Sequence, residues 1–229
     1  MSEARTAILN RLRQAPAPTE FFPKPDFSCL EGRGWDPGER LRRLRQGMEA
    51  VQTEFVEAGD WPRAVLDVML REGLDSLLYG PDTDEGRALA AIWPEQGPRL
   101  VPYERPVETF KTELFASIAA GFSTTLGGIA ETGGLLLTPG PEEPRLLSLV
   151  PPVHIALLRP ERIFETLYQA IRALDWGNAL PANALVISGP SKTADIEQTL
   201  AYGVHGPKRL IVVLAGAEPT VPRIPADPD

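Results

Sequence analysis

Residues 154–158 read HIALL, residues 184–188 read ALVIS and residues 209–214 read RLIVVL. Each run is short, almost wholly apolar and rich in branched side chains, as a strand buried on both faces must be. The segments between them are helix-length. Residues 160–174 place Ile163, Leu167, Ala170, Ile171 and Leu174 on one face with Pro160 near the first turn, and residues 192–203 follow with a helix start at Ser191–Thr193. Upstream the alternation continues. SLLY (76–79) and RLVPY (99–103) read as strands, and 84–93 and 107–120 as helices. Residues 124–130 and 134–138 read as two extended pieces. Strand and helix in turn, with uniformly apolar strands, predict an α/β fold with a Rossmann-like open, mostly parallel sheet and helices on both faces.

The first third of the chain has another rhythm. Ser2 is placed to cap a short helix carrying Ile8 and Leu12. Residues 16–38 interleave five prolines with Phe21, Phe22, Phe27 and Trp35, which predicts an extended arm whose aromatics need a surface, on the same subunit or on a neighbouring copy in a homo-oligomer. Residues 39–57 carry Leu41, Leu44, Met48, Val51 and Phe55 at helical spacing, with an arginine run mostly off that stripe. A second helix is expected over 61–72, capped by Asp60, with Val65, Leu66, Met69 and Leu70 inside. The expected organisation is a helical extension with its proline and aromatic arm over 1–72, then an α/β domain over 73–229.

Composition removes several classes of function. The net charge of −8 disfavours nucleic-acid binding, because phosphate contacts need surplus Lys and Arg. The acidity sits beyond residue 72, where the net charge is −7 against −1 before it. One cysteine, Cys29, cannot form an internal disulfide or hold an iron–sulfur cluster, and two histidines without a Cys cluster disfavour zinc. The start MSEARTAILNRLRQ lacks the apolar run of a signal peptide, and the longest uncharged window, 114–130, is too short and polar for a membrane span. A cytoplasmic protein is expected, with no metal and no cofactor.

Two segments could carry chemistry. Residues 127–140, GGIAETGGLLLTPG, are the least polar part of the chain yet hold Glu131 between glycine pairs. A carboxylate there is either a satisfied structural group or part of a site. The second segment, Ser188 to Glu197, leaves the strand at 184–188 and is expected to open a helix. Its free N–H groups with Ser191, Lys192 and Thr193 could hold an anion, while the same hydroxyls could equally serve as ordinary caps. No phosphate loop, G-x-G-x-x-G fingerprint or G-x-S-x-G elbow occurs. His154 reads as a hydrogen-bonded core or strand-end residue rather than a base, His205 as a residue at a helix C-terminus, and Lys111 as solvated.

Several motifs in order carry a resemblance: AETG (130–133), PRLLSLVPPVH (144–154), GPSKTADIE (189–197) and GVHGP (203–207). They are similar to the lactate utilization protein C family, which carries the LUD domain, and Gly134 stands where that family usually has Thr or another small residue. The resemblance implies a NagB/RpiA/CoA-transferase-like fold. It implies an accessory role in oxidation of L-lactate to pyruvate, alongside iron–sulfur partner proteins. The expected cleft joins Glu131, Thr132 and Gly133 to Gly189, Ser191, Lys192, Thr193 and His205, and would take a small anion or a partner surface. Two other functions stay open. One is a CoA-ester or phosphometabolite enzyme with Glu131 as nucleophile, by analogy with the fold. The other is a non-catalytic interaction protein.

Overall fold

Strand β7 (Val153–Leu158) is buried at every residue and lies between two parallel neighbours, β4 (Ala120–Thr124) and β12 (Arg209–Ala215). A computed structural model supplies this architecture and describes residues 3–14, 26–194, 200–202 and 206–216. Beyond β12 lies the edge strand β1 (Glu54–Ala58), and beyond β4 lie β2 (Ser76–Tyr79) and β3 (Arg99–Pro102). The order β1-β12-β7-β4-β2-β3 is parallel throughout, as the apolar runs predict. The sheet takes in residues on both sides of position 72.

Alternation along the strands sends side chains to two different cores. Ile155, Leu157, Ile211 and Val213 face helices α3 (Trp61–Arg71) and α4 (Asp84–Ile92). Ala156, Leu158, Leu210, Val212 and Leu214 face helix α2 (Pro37–Glu49) and a second sheet. That sheet has the order β8-β5-β6-β9, built from Gly127–Ile129 (β5), Gly134–Leu137 (β6), Ile163–Phe164 (β8) and Leu185–Ile187 (β9). A third cluster joins Leu78 and Val101 to helix α5 (Val107–Ala116) and to Leu147 of the short helix α6 (Leu146–Leu149). Helix starts are set by short polar caps. Asp36 accepts from Glu39 N at 2.9 Å, Asp60 from Arg63 N at 3.2 Å and Thr83 from Gly86 N at 2.9 Å.

The chain divides into two compact units, residues 1–31 and 32–229. The first contains helix α1 (Glu3–Gln14) and one 3-10 turn at Ser28–Leu30. Of the arm's aromatics, Phe21 and Phe22 lie outside the described residues. Trp35 packs within the second unit, with the Arg43 guanidinium 4.1 Å from its ring centroid.

Six expectations are corrected. The helix expected over 39–57 stops at Glu49, where the N–H groups of Val51 and Thr53 close onto Met48 O. Gln52, at φ +70°, turns the chain into β1. The helix expected over 107–120 stops at Ala116, and Ala120 begins β4. The 160–174 helix is instead one 3-10 turn, strand β8 and helix α7 (Leu167–Ala173), because Thr166 caps a new helix by accepting from Gln169 N at 3.1 Å. The run 184–188 supplies β9, antiparallel to β6 in the second sheet, and its alternating exposure shows one face open to water. The helix expected over 192–203 is replaced at both ends by an antiparallel pair, β10 (Lys192–Ala194) and β11 (Leu200–Tyr202). Leu70, expected inside α3, is 53% exposed.

The β5–β6 turn seats on α2 by backbone contact. Gly133 adopts φ +64°, and a Cβ built there would lie 2.9 Å from the Gly47 backbone. Gly133→Ala combines a left-handed backbone with a main-chain clash, and should destabilise the protein by about 3 kcal/mol, measured by urea denaturation. A loss below about 0.5 kcal/mol would show that this contact yields easily.

Candidate functional site

The face of the main sheet that looks toward the second sheet carries two polar side chains in an apolar layer. Ser123 of β4 and His154 of β7 are both buried, and Ser123 Oγ lies 2.8 Å from His154 Nε2. They sit between two cavities. The larger, of about 210 Å³, lies under β9 and is lined by Ser148, His154, Ser188, Gly189, Ser191 and Gly206, with Leu149, Val186 and Leu210 as apolar walls. The smaller, of about 30 Å³, has room for a water or two and is lined by Ser123, Thr124, Glu143 and Ser148 among others. Ser148, on α6, borders both.

Burial controls the electrostatics. His154 is 0% exposed, and desolvation of the cation lowers its pKa to about 4, so the ring is neutral at pH 7. Its Nδ1 is buried without a hydrogen-bond partner among the described residues. Desolvation raises the Glu143 pKa, although its carboxylate accepts from Thr124 N at 3.1 Å and from Thr124 Oγ1 at 2.7 Å. Ser148 Oγ donates to Arg145 O at 3.1 Å, so toward the cavity this hydroxyl is left as an acceptor.

The residues expected to form one cleft are distributed. Gly189 and Ser191 line the larger cavity, and Lys192 is exposed beside it at the start of β10. With a strand at 192–194, the helix N-terminus that was to attract an anion there is replaced. Only the backbone of Thr193 is described, and His205 lies outside the described residues. Glu131, Thr132 and Gly133 form the β5–β6 turn and are not among the residues lining either cavity. Glu131 Oε1 accepts from Arg33 Nη2 at 2.7 Å, both side chains being more than a third exposed. The turn is fixed by its main chain, through Ala130 N to Phe164 O and Glu131 N to Glu165 O, each at 2.9 Å. The Glu165 carboxylate accepts from Arg33 N and Gly34 N, holding residues 32–35 against it.

Sequence reasoning gave no site role to Ser123, Ser148 or Gly206, and placed His154 only as a core residue. The available signal was a histidine inside an otherwise apolar strand, since such a group must find a partner or a ligand.

An all-parallel open sheet with a second sheet stacked over one face, and a cavity between them, defines a Rossmann-like α/β protein. The LUD domain matches residues 41–215, and the chain belongs to that family. It is 39% identical over 215 residues to an uncharacterized protein of Neisseria meningitidis, covering 92% of each chain. It is 26% identical to lactate utilization protein C of Bacillus subtilis, covering 85% of each, and 24% identical to that of a Geobacillus species, covering 83% of each. A solved structure of a DUF162 family protein from Deinococcus radiodurans superposes with a TM-score of 0.60 at 20% identity, covering 80% of this chain and 99% of that one, and so shares the fold. Among the described residues no helix is long and apolar enough to cross a membrane.

Two outcomes follow from the electrostatics. An exposed ion pair contributes about 0–1 kcal/mol, so Glu131→Gln should leave the urea midpoint nearly unchanged; a loss above about 2 kcal/mol would make the carboxylate a structural group. For His154, the unfolded pKa near 6.5 exceeds the folded value of about 4, so the unfolded chain binds the extra proton. The stability held by the neutral ring is full above pH 6.5 and is lost as pH falls toward 4, by up to about 3 kcal/mol. Urea denaturation of wild type and His154→Gln at pH 7, 5.5 and 4 should show their difference changing in that window; a pH-independent difference would mean that the ring is solvated.

Proposed function

We propose that this protein is a cytoplasmic accessory component of an L-lactate oxidation system, acting with iron–sulfur partner proteins that carry the electron chemistry. The observation that supports the reading most directly is similarity along most of the chain to proteins named lactate utilization protein C. A chain with one cysteine does not supply the ligands of a cluster, which agrees with a division of labour in which partners hold the iron. The cavity lined by Gly189 and Ser191 serves as its ligand site, because the hydroxyls of buried Ser148, half-buried Ser191 and exposed Ser188 stand there among apolar walls and a neutral imidazole. The Glu131 turn, with an exposed carboxylate already turned toward Arg33, is assigned to partner contact rather than to covalent chemistry.

The test mixes the purified protein with iron–sulfur lactate-oxidation proteins and measures complex formation and L-lactate-dependent dye reduction. Association and a rise in rate are expected, with a further effect of Glu131→Gln on association. Absence of both association and rate change would remove the accessory role.

A further inference from the structure

The smaller cavity lies at the C-terminal end of β4, the neighbour of β2 in the main sheet. From β2 the chain leaves through α4 to β3 on one side, and from β4 it leaves through β5, β6 and α6 to β7 on the other. Open α/β sheets bind ligands where neighbouring connections diverge in this way, outside the carboxyl ends of the strands. Residues 139–144 close over this crevice and are seated tightly. Gly80, at the end of β2, has no room for a side chain, because a Cβ there would meet Glu142 O. Pro139, Glu143 and Pro144 of the same segment line the cavity, opposite Ser148 of α6.

The polar lining consists of oxygens whose protons are already committed. Thr124 Oγ1 donates to Glu143 Oε2 at 2.7 Å, and buried Ser148 Oγ donates to Arg145 O at 3.1 Å. Both hydroxyls keep lone pairs and no free proton. The Glu143 carboxylate can only accept, and its two oxygens share Thr124 N at 3.1 Å. One N–H and one hydroxyl thus face a full negative charge. Burial raises the Glu143 pKa, the Thr124 hydrogen bonds offset part of that rise, and the charges of Glu85 and Glu142 add to it. Arg159 Nη2 is directed to Glu85 Oε1 at 2.9 Å. Oxygen lone pairs around an undercompensated carboxylate are the donor set of a hard cation. A single carboxylate matches a single positive charge, whereas calcium collects several charged and neutral oxygens. A volume of about 30 Å³ suits one ion stripped of its hydration shell and close to water in size, as potassium is.

We propose that the cavity between the end of β4, residues 139–144 and α6 is a binding site for one monovalent cation of potassium's size, held by the Glu143 carboxylate, Thr124 Oγ1 and Ser148 Oγ. The ion neutralises Glu143 and ties residues 139–144 to β4 and α6. Ser148 also lines the larger cavity, so the ion fixes a wall that the two spaces share.

The experiment follows urea denaturation of the full chain at pH 8 in potassium chloride and in tetramethylammonium chloride at equal ionic strength, the second cation being too large to enter. A urea midpoint that rises saturably with potassium is expected, since an ion that binds only the folded chain stabilises it. Glu143→Gln keeps the shape of the side chain and removes its charge, and should raise the half-saturating potassium concentration by about tenfold or more. Crystals of the wild-type protein soaked in thallium(I), an anomalous scatterer that substitutes for potassium, should show a peak between Glu143 and Ser148. That measurement does not depend on the variant folding. Equal midpoints in the two salts, a potassium response unchanged in Glu143→Gln, or a cavity that holds water and no thallium would overturn the proposal. None of these readings involves lactate oxidation or iron–sulfur proteins, so the accessory role stands or falls separately.

Discussion

The main constraint on this fold is that β7 has no free side. Parallel strands pair with it at both edges, and packed layers cover both of its faces. Any polar group on such a strand must be satisfied inside the protein, since water cannot reach it. The strand nevertheless carries His154, and the surroundings are built around that residue. Ser123 on the adjacent strand meets one ring nitrogen, and a cavity rather than a packed side chain lies against the histidine on the β9 side. Filling that space with a leucine from above would add apolar contact to the core. The open space is therefore a departure from close packing beside one of the buried side chains that keeps an unpartnered polar atom.

The second sheet explains how such a space persists. Its β5–β6 turn rests on α2 through the Gly133–Gly47 backbone contact, and β8 and Glu165 fasten it further. These supports hold the β8 edge and the β5–β6 turn. At the β9 end the layer is half-buried, with Val186 49% exposed and Gly189 set against Val51 rather than against the main sheet. Beneath that thinly covered edge Ser188, Gly189 and Ser191 line the cavity.

Much of the fold was legible because burial on two faces leaves an unambiguous trace. HIALL, SLLY and RLIVVL can be little other than central parallel strands, and each lies in the main sheet. ALVIS has the same composition but belongs to a sheet with one open face, and five residues are too few to separate the two cases. Residues 192–203 misled for a related reason: Ser-Lys-Thr at the start of a polar stretch resembles a helix cap, while the same hydroxyl-bearing residues suit a hairpin edge. Of the candidate site, Gly189 and Ser191 were visible as a loop of small residues following a strand. Ser123 was hidden by a misplaced boundary, since extending α5 to residue 120 absorbed the start of β4. The pairing of Ser123 with His154 spans 31 residues and is set by strand register, which no local pattern encodes.

Glu131 illustrates how a residue can be conspicuous in sequence for the wrong atoms. Its carboxylate stands out because everything around it is apolar or glycine, which suggests a charge forced into a core. The structure places that charge at the surface, while its backbone N–H is bonded to Glu165 O and the next residue but one adopts the left-handed conformation that glycine permits. The apolar residues on either side are inward-facing positions of β5 and β6, and the turn between them has to leave the core. A polar residue at its tip follows from that geometry alone. What geometry alone does not require is Arg33 reaching across from the entry to α2 to meet it. Because an exposed pair adds little stability, the turn is held by its main-chain bonds to Phe164 O and Glu165 O rather than by this pair of charges.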